Sequence, residues 1–148
     1  MLTPGEFAGR LAEWVAAFNR GSLDLPDHLL HRDATFRLNG TAYEDTLGRL
    51  ATDPLVRLVS RGPGGYRLLA KALQYALQRA EVAVRDFEIT RGLATGYVDL
   101  SGVLRDTSEP WHTSADLAMT VDVDGQVTEV SVQIAGPSLE RLRKARQA

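Results

Sequence analysis

Cysteine is absent from the 148 residues. That excludes disulfides, thiolate metal sites and a cysteine nucleophile, and it permits a reducing compartment without requiring one. A surplus of basic charge is missing as well. Seventeen Lys and Arg against nineteen Asp and Glu leave a formal net charge of -2, so nothing is spare to neutralise a phosphate backbone, and no nucleic-acid partner is expected. There is no run of about 18 apolar residues, the length a helix needs to cross a bilayer, and no membrane partner is expected. The opening stretch MLTPGEFAGRLAEW carries none of the basic, apolar and small-residue segments of a secretory signal, from which a cytoplasmic location is expected. Repeats, low-complexity tracts, a G-x-S-x-G elbow and a complete nucleophile triad are also lacking.

What is present is ordinary globular material, 44% hydrophobic and 24% charged, enough for one domain over 1–148. Thr3-Pro4-Gly5-Glu6 reads as a helix start, with Thr3 as cap and Pro4 in the first helical position. Phe7, Leu11, Trp14, Val15 and Phe18 follow at helical spacing, and Gly21 is the expected stop. A short helix over 25–30 and helical pieces over 47–51 and from Pro54 to Val59 are weaker signals. GPGG (62–65) reads as a flexible connection, because it lacks the lysine and hydroxyl of a phosphate-binding loop. Tyr66, Leu69, Leu73, Ala76 and Leu77 then form another amphipathic stripe.

From Glu81 onward the period changes to two, in VAVRDFEI, ATGYVDLSGVL, HTSADLAMTVDV and QVTEVSVQI, giving four consecutive strands. Asn39-Gly40 marks a small hairpin between 35–38 and 41–43. A two-residue turn at Asp124-Gly125 predicts Val123 opposite Gln126, Val121 opposite Thr128 and Met119 opposite Val130. That register puts Leu117, Met119, Val121, Val130, Val132 and Ile134 on one face. A short terminal helix over 138–146 bears Arg141, Arg143, Lys144 and Arg146, read as a solvated face.

Helices followed by an antiparallel sheet make an α+β arrangement. The stretches WVAAFNRGSLD (14–24), HRDATFRLNG (31–40) and VDVDGQVTEVSVQI (121–134) resemble the nuclear transport factor 2-like superfamily, also called SnoaL-like or cystatin-like cone folds. The resemblance implies three main helices packed on a strongly curved, mostly antiparallel sheet, a cone-shaped pocket between them, and a homodimer. Members include cyclases, isomerases, hydrolases, dehydratases and noncatalytic binders, among which fold alone does not choose. The segment 44–62 is longer than the usual connection, so an added helix near the pocket mouth is expected.

The same resemblance puts Tyr97-Val98-Asp99 where limonene epoxide hydrolase has an Arg-x-Asp segment and where ketosteroid isomerase carries a functional acid. Tyr97 replaces the hydrolase's arginine, Phe36 and Leu38 stand in place of its tyrosine and asparagine, and Val132 replaces its second aspartate. Two readings follow. In one, Tyr97, Asp99 and Ser101 face an apolar pocket, desolvation raises the Asp99 pKa, and Asp99 acts as proton donor with Tyr97 beside it. In the other, Val98, Leu100 and Leu104 are buried and the acid faces water, since alternation fixes which residues share a face but not which face is inside. His112, on a face with Ser114 and Asp116, is the nearest second titratable candidate. His28-x-x-His31 offers no third ligand, so no metal is expected, and no motif requires a cofactor. The expected ligand is a small, largely apolar molecule, contacted by Trp14, Phe18, Phe36, Tyr66, Leu117, Met119, Val130 and Val132. Tyr43 is a further hydroxyl near the mouth.

Overall fold

A computed structural model describes residues 4–22, 29–39, 41–42 and 62–147. Helix α1 spans Pro4–Asn19, with Phe7, Leu11, Trp14 and Phe18 of its stripe buried. It stops where glycine permits. Gly21 has a φ of 77°, its N–H donates to the Phe18 carbonyl and that of Ser22 to the Ala17 carbonyl, the two bonds of a Schellman cap.

Strand β1 (Leu30–Leu38) turns through Asn39 (φ 54°) into the two-residue β2 (Thr41–Ala42), the expected hairpin. Leu30 already lies in β1, which corrects the end of the helix expected over 25–30 and puts His31 on a strand. Residues 25–28 of that segment, His28 among them, Tyr43, and the helical pieces and added helix expected between 44 and 61 lie outside the described residues.

Helix α2 (Pro63–Ala76) begins inside GPGG, so that stretch is an anchored helix start and not a flexible connection. Gly62 caps it at φ 60° and ψ -137°, and its N–H donates to the Ala34 carbonyl. A Cβ there would stand 2.2 Å from the Arg32 carbonyl oxygen, so only glycine fits. Pro63 takes a first-turn position where the missing N–H costs nothing. The chain passes from Ala76 straight into β3 (Leu77–Thr90), then β4 (Leu93–Leu104), β5 (Pro110–Val121), β6 (Val127–Gln133) and α3 (Gly136–Gln147).

Among the described residues the sheet has six strands in the order β2-β1-β6-β5-β4-β3. The β1–β6 pairing is parallel and the others antiparallel. Met119 faces Val130 as expected, but Val121 pairs with Val127, not Thr128. The cause is Asp122: its Oδ1 accepts from the N–H groups of Asp124 and Gln126, and its own N–H donates to the Gln126 carbonyl. The loop therefore closes on Asp122 and Gln126 and leaves Val123 exposed.

Two asparagines act as short strand substitutes. The Asn19 amide, at the end of α1, donates to the Val82 carbonyl at 3.0 Å and accepts from its N–H at 2.8 Å, satisfying backbone groups on the edge strand β3. The Asn39 amide makes the same double bond with Ile134, at 2.9 and 2.7 Å. Helix α1 packs on β3, and α2 on β1, β3 and α3, so one sheet face is covered by helices. The core lies between them.

Candidate functional site

That core is not filled. A cavity of about 150 Å³ lies between α1, α2, α3 and the inner face of the sheet. Trp14, Phe18, Phe36, Tyr66, Leu117, Met119, Val130 and Val132 line it, together with Val82, Val84, Val98 and Leu100 of β3 and β4. Leu139 and Leu142 of α3 close one side and are buried. Their three-residue spacing in SLERLRK was legible as a helical pair, yet the charges around it drew the reading toward solvent. Arg141 in the same helix makes a bidentate pair with Asp106, at 3.0 and 2.9 Å, and so ties α3 to the β4–β5 connection. This corrects the solvated reading for that residue.

The lining is apolar almost throughout. Arg37 contributes to it, but its guanidinium turns away to Glu129 at 2.9 Å, with both side chains over 40% exposed. Among the described residues no carboxylate, imidazole or lysine lines the cavity. Besides Arg37, the lining residues with a polar side-chain atom are Trp14 and Tyr66, whose rings meet edge to face with centroids 5.9 Å apart. Tyr66 is 3% exposed and donates its hydroxyl to the Ser22 carbonyl at 3.2 Å. Burial pushes its pKa up to about 12, because the phenolate would lose its hydration. It stays protonated at neutral pH.

Tyr97, Asp99 and His112 are on the other side of the sheet. Val98 and Leu100 point into the cavity, so by alternation Tyr97, Asp99 and Ser101 point out. The cross-strand partners agree: Asp99 faces Ser114, Ser101 faces His112 and Tyr97 faces Asp116, all exposed positions of β5. The reading with the acid in an apolar pocket is thereby corrected, since hydrophobic burial selected the Val98 parity.

The electrostatics are corrected with it. Ser114 Oγ donates to one Asp99 oxygen at 2.5 Å and Arg85 Nε to the other at 3.0 Å. These bonds, the serine's first, hold the Asp99 carboxyl below the usual aspartate value, the reverse of the expected rise. Arg85 also lies 4.8 Å over the Tyr97 ring. His112 and Asp116 are four residues apart along one strand, roughly 13 Å, too far for a hydrogen-bonded acid–base pair.

Asp106 supplies a pH test. The Arg141 hydrogen bonds hold its carboxyl below the ordinary value of 3.8. A depressed folded-state pKa gives stability that is complete above the unfolded value and is lost as pH falls through the folded one. Asp106→Asn is therefore expected to lower the melting temperature at pH 7, and the difference from the parent to shrink as pH drops below about 4. Thermal melts at pH 7 and pH 3 check this; an equal difference at both pH values speaks against it.

No helix among the described residues is long and apolar enough to cross a membrane. No protein-family model matches the sequence, and no curated protein matches it significantly. Solved structures do. TsrD from Streptomyces laurentii superposes with a TM-score of 0.73 at 16% identity, over 98% of this chain and 99% of that one. IdmH from Streptomyces antibioticus, named as a proposed polyketide cyclase, gives 0.68 at 19% identity, over 93% and 97%. A protein from Jannaschia sp. CCS1, named as a proposed SnoaL-like polyketide cyclase, gives 0.70 at 11%, over 96% and 94%. Such identities speak for the fold.

Proposed function

The chain has the nuclear transport factor 2-like fold, and on that premise we propose that it binds a small, neutral, largely apolar molecule in the cavity between the helices and the inner sheet face. The observation that carries this is the lining: about 150 Å³ of space whose walls are aliphatic and aromatic apart from Arg37, which is paired with Glu129. Apolar cavities near 150 Å³ accept a benzene-sized ring. A charged guest would lose its hydration there, and the one cation among the described lining residues, Arg37, is already paired with Glu129.

The two β3 bulges and the β5 register shift support a strongly curved sheet around that space. Asp99 takes no part in our reading, because an ionised carboxylate bonded to Ser114 and Arg85 on the far face holds no proton to donate and does not meet the guest. A second reading, favoured by the polyketide cyclase name of IdmH, keeps the same site and adds turnover by intramolecular aldol closure: the walls hold the ends of a short chain together, an enol carbon bonds to a carbonyl carbon as the carbonyl π bond breaks, and the enol proton passes to that carbonyl's oxygen. The homodimer belongs to the proposal too, with the exposed sheet face bearing Tyr97, His112 and Asp116 open to a second copy.

The test is p-xylene, a one-ring hydrocarbon matched to the volume. It is expected to bind in calorimetry and to raise the melting temperature with concentration, as any ligand of the folded state does. Val132→Phe, which fills part of the cavity from a half-buried wall position, is expected to weaken p-xylene at least about tenfold while the fold survives, since added volume at a void has somewhere to go. A parent protein that ignores p-xylene at millimolar concentration sinks the reading.

A further inference from the structure

The three described helices over the cavity are not held alike. Helix α1 is pinned at one end by the Phe7–Phe87 ring stack and at the other by the Asn19–Val82 double hydrogen bond. Helix α2 is fixed at its start by the Gly62 N–H on the Ala34 carbonyl, and at its end it runs straight into β3. Helix α3 is hung differently. The chain before it is anchored as far as Ile134 by the Asn39 amide, and the next three residues, Ala135, Gly136 and Pro137, are exposed. A Cβ on Gly136 would meet nothing within 4 Å, so no neighbour crowds that joint, and glycine gives it backbone freedom. Beyond the joint, α3 turns Leu139 and Leu142 onto the cavity and packs on α2. A fork holds it on the other side: Arg141 donates to the two Asp106 oxygens at 3.0 and 2.9 Å and to the Thr107 hydroxyl at 3.2 Å. The connection that receives the fork is itself fixed. The Arg105 N–H donates to the Ala76 carbonyl at 2.9 Å and its Nε to the Gln74 carbonyl at 2.6 Å, which ties the β4–β5 turn to the end of α2.

We propose that α3 is the gate of the cavity: it swings about Ala135 and Gly136 to admit and release the guest, and the Arg141 fork on Asp106 and Thr107 is the latch that keeps it shut. This rests on the reading of the cavity as a binding site and adds its route of entry. A swing of α3 uncovers Leu139, Leu142 and Ala145, whereas moving α1 would strip Phe7, Leu11, Trp14 and Phe18 from the core. Exposed apolar area sets the cost of opening, so of these two walls α3 opens more readily. The latch suits the task. A bidentate charge pair fixes the helix in one orientation, and with the Arg141 side chain 29% exposed and that of Asp106 13%, water can take over its bonds when the helix lifts. Hinges of this kind need only a few residues at the end of an element.

The test follows p-xylene into and out of the cavity by NMR exchange spectroscopy. Asp106→Asn and Arg141→Gln each break the fork from one side, and neither residue lines the cavity. Each is expected to raise the association and dissociation rates together by about fivefold, the scale of one partly exposed charge pair. The affinity is expected to stay within about twofold, because the latch is the same in the empty and the filled chain. Asp99→Asn breaks a charge pair on the outer sheet face and is expected to leave both rates within about twofold, being remote from the gate. The chain has no cysteine of its own, so Asp106→Cys with Arg141→Cys can be joined by a short bismaleimide. The joined protein is expected to exchange p-xylene at least about tenfold more slowly than the parent, as a closed lid does. If one of the two single variants does not fold, the other carries the test. Unchanged rates in a folded variant, an equal rise in Asp99→Asn, or a joined protein that exchanges as fast as the parent overturns the gate and leaves the cavity reading standing. A rise in the dissociation rate alone overturns it as well, since α3 would then be a wall that only holds the guest. A parent that does not bind p-xylene overturns the cavity reading, and the gate with it.

Discussion

Phe7→Ala is expected to destabilise the chain by about 3–5 kcal/mol in urea denaturation, the range for emptying a fully buried phenylalanine site. Phe7 is wholly buried and its ring stacks on Phe87 at 5.7 Å, with only 5° between the planes. The contact exists because β3 changes parity. Val82 and Val84 point inward, Asp86 takes a φ of 53° at a register shift, and Phe87 and Ile89 then point inward in place of even-numbered residues. With the Asn19–Val82 double hydrogen bond at the other end of the helix, the ring pair fixes α1 along the edge strand. That seam positions Leu11, Trp14 and Phe18 over the cavity, so p-xylene affinity is expected to fall with stability. A loss below about 1.5 kcal/mol, typical of a conservative core exchange, would mean that the helix is held elsewhere.

How much of this was legible follows from which signals are local. The α1 stripe, its glycine stop, the Asn39 turn, the four strands and the Met119–Val130 pairing depend on near neighbours, and the sequence carries them openly. The β3 bulge was written there as well: in VAVRDFEI the apolar residues fall at 82, 84, 87 and 89, and the slip of one after 84 is the mark of an extra residue. The Asp122 loop was harder, because a side chain that captures two backbone N–H groups competes with the two-residue turn that Asp124-Gly125 favours. The inward face of β4 was not decidable from its own alternation. It is set by long-range partners, Val84 and Ala115 beside Val98, whose apolar series must share a side of the sheet with it. The resemblance drew attention to Asp99 by position; burial chose Val98.

The pair Val98 and Asp99 therefore offers the sharpest experiment on this chain. Val98 is 6% exposed and lines the cavity. Val98→Asp is expected to cost about 4 kcal/mol or more at pH 7, since a carboxylate is placed among aliphatic walls whose one described cation, Arg37, is already paired with Glu129. The sign of its pH dependence is distinctive. Burial raises the pKa of the introduced acid above the unfolded value near 3.9, so the folded state holds the proton longer and the variant loses stability as pH rises, through about pH 4 and upward. Asp99→Asn, one residue along, is expected to act the opposite way. Asp99 has a lowered folded-state pKa, so removing its charge lowers stability at neutral pH, where the Ser114 and Arg85 bonds are complete, and the loss fades as pH falls through the acid range. Its effect at pH 7 is expected to be far smaller than that of Val98→Asp, because the carboxylate is 27% exposed and screened by solvent. It is also expected to leave p-xylene affinity unchanged within twofold, while Val98→Asp abolishes it. Were Asp99→Asn instead to weaken the ligand and Val98→Asp to be tolerated, the odd-numbered side chains of β4 would be the ones facing the cavity, and the proton-donor role for Asp99 would return with them.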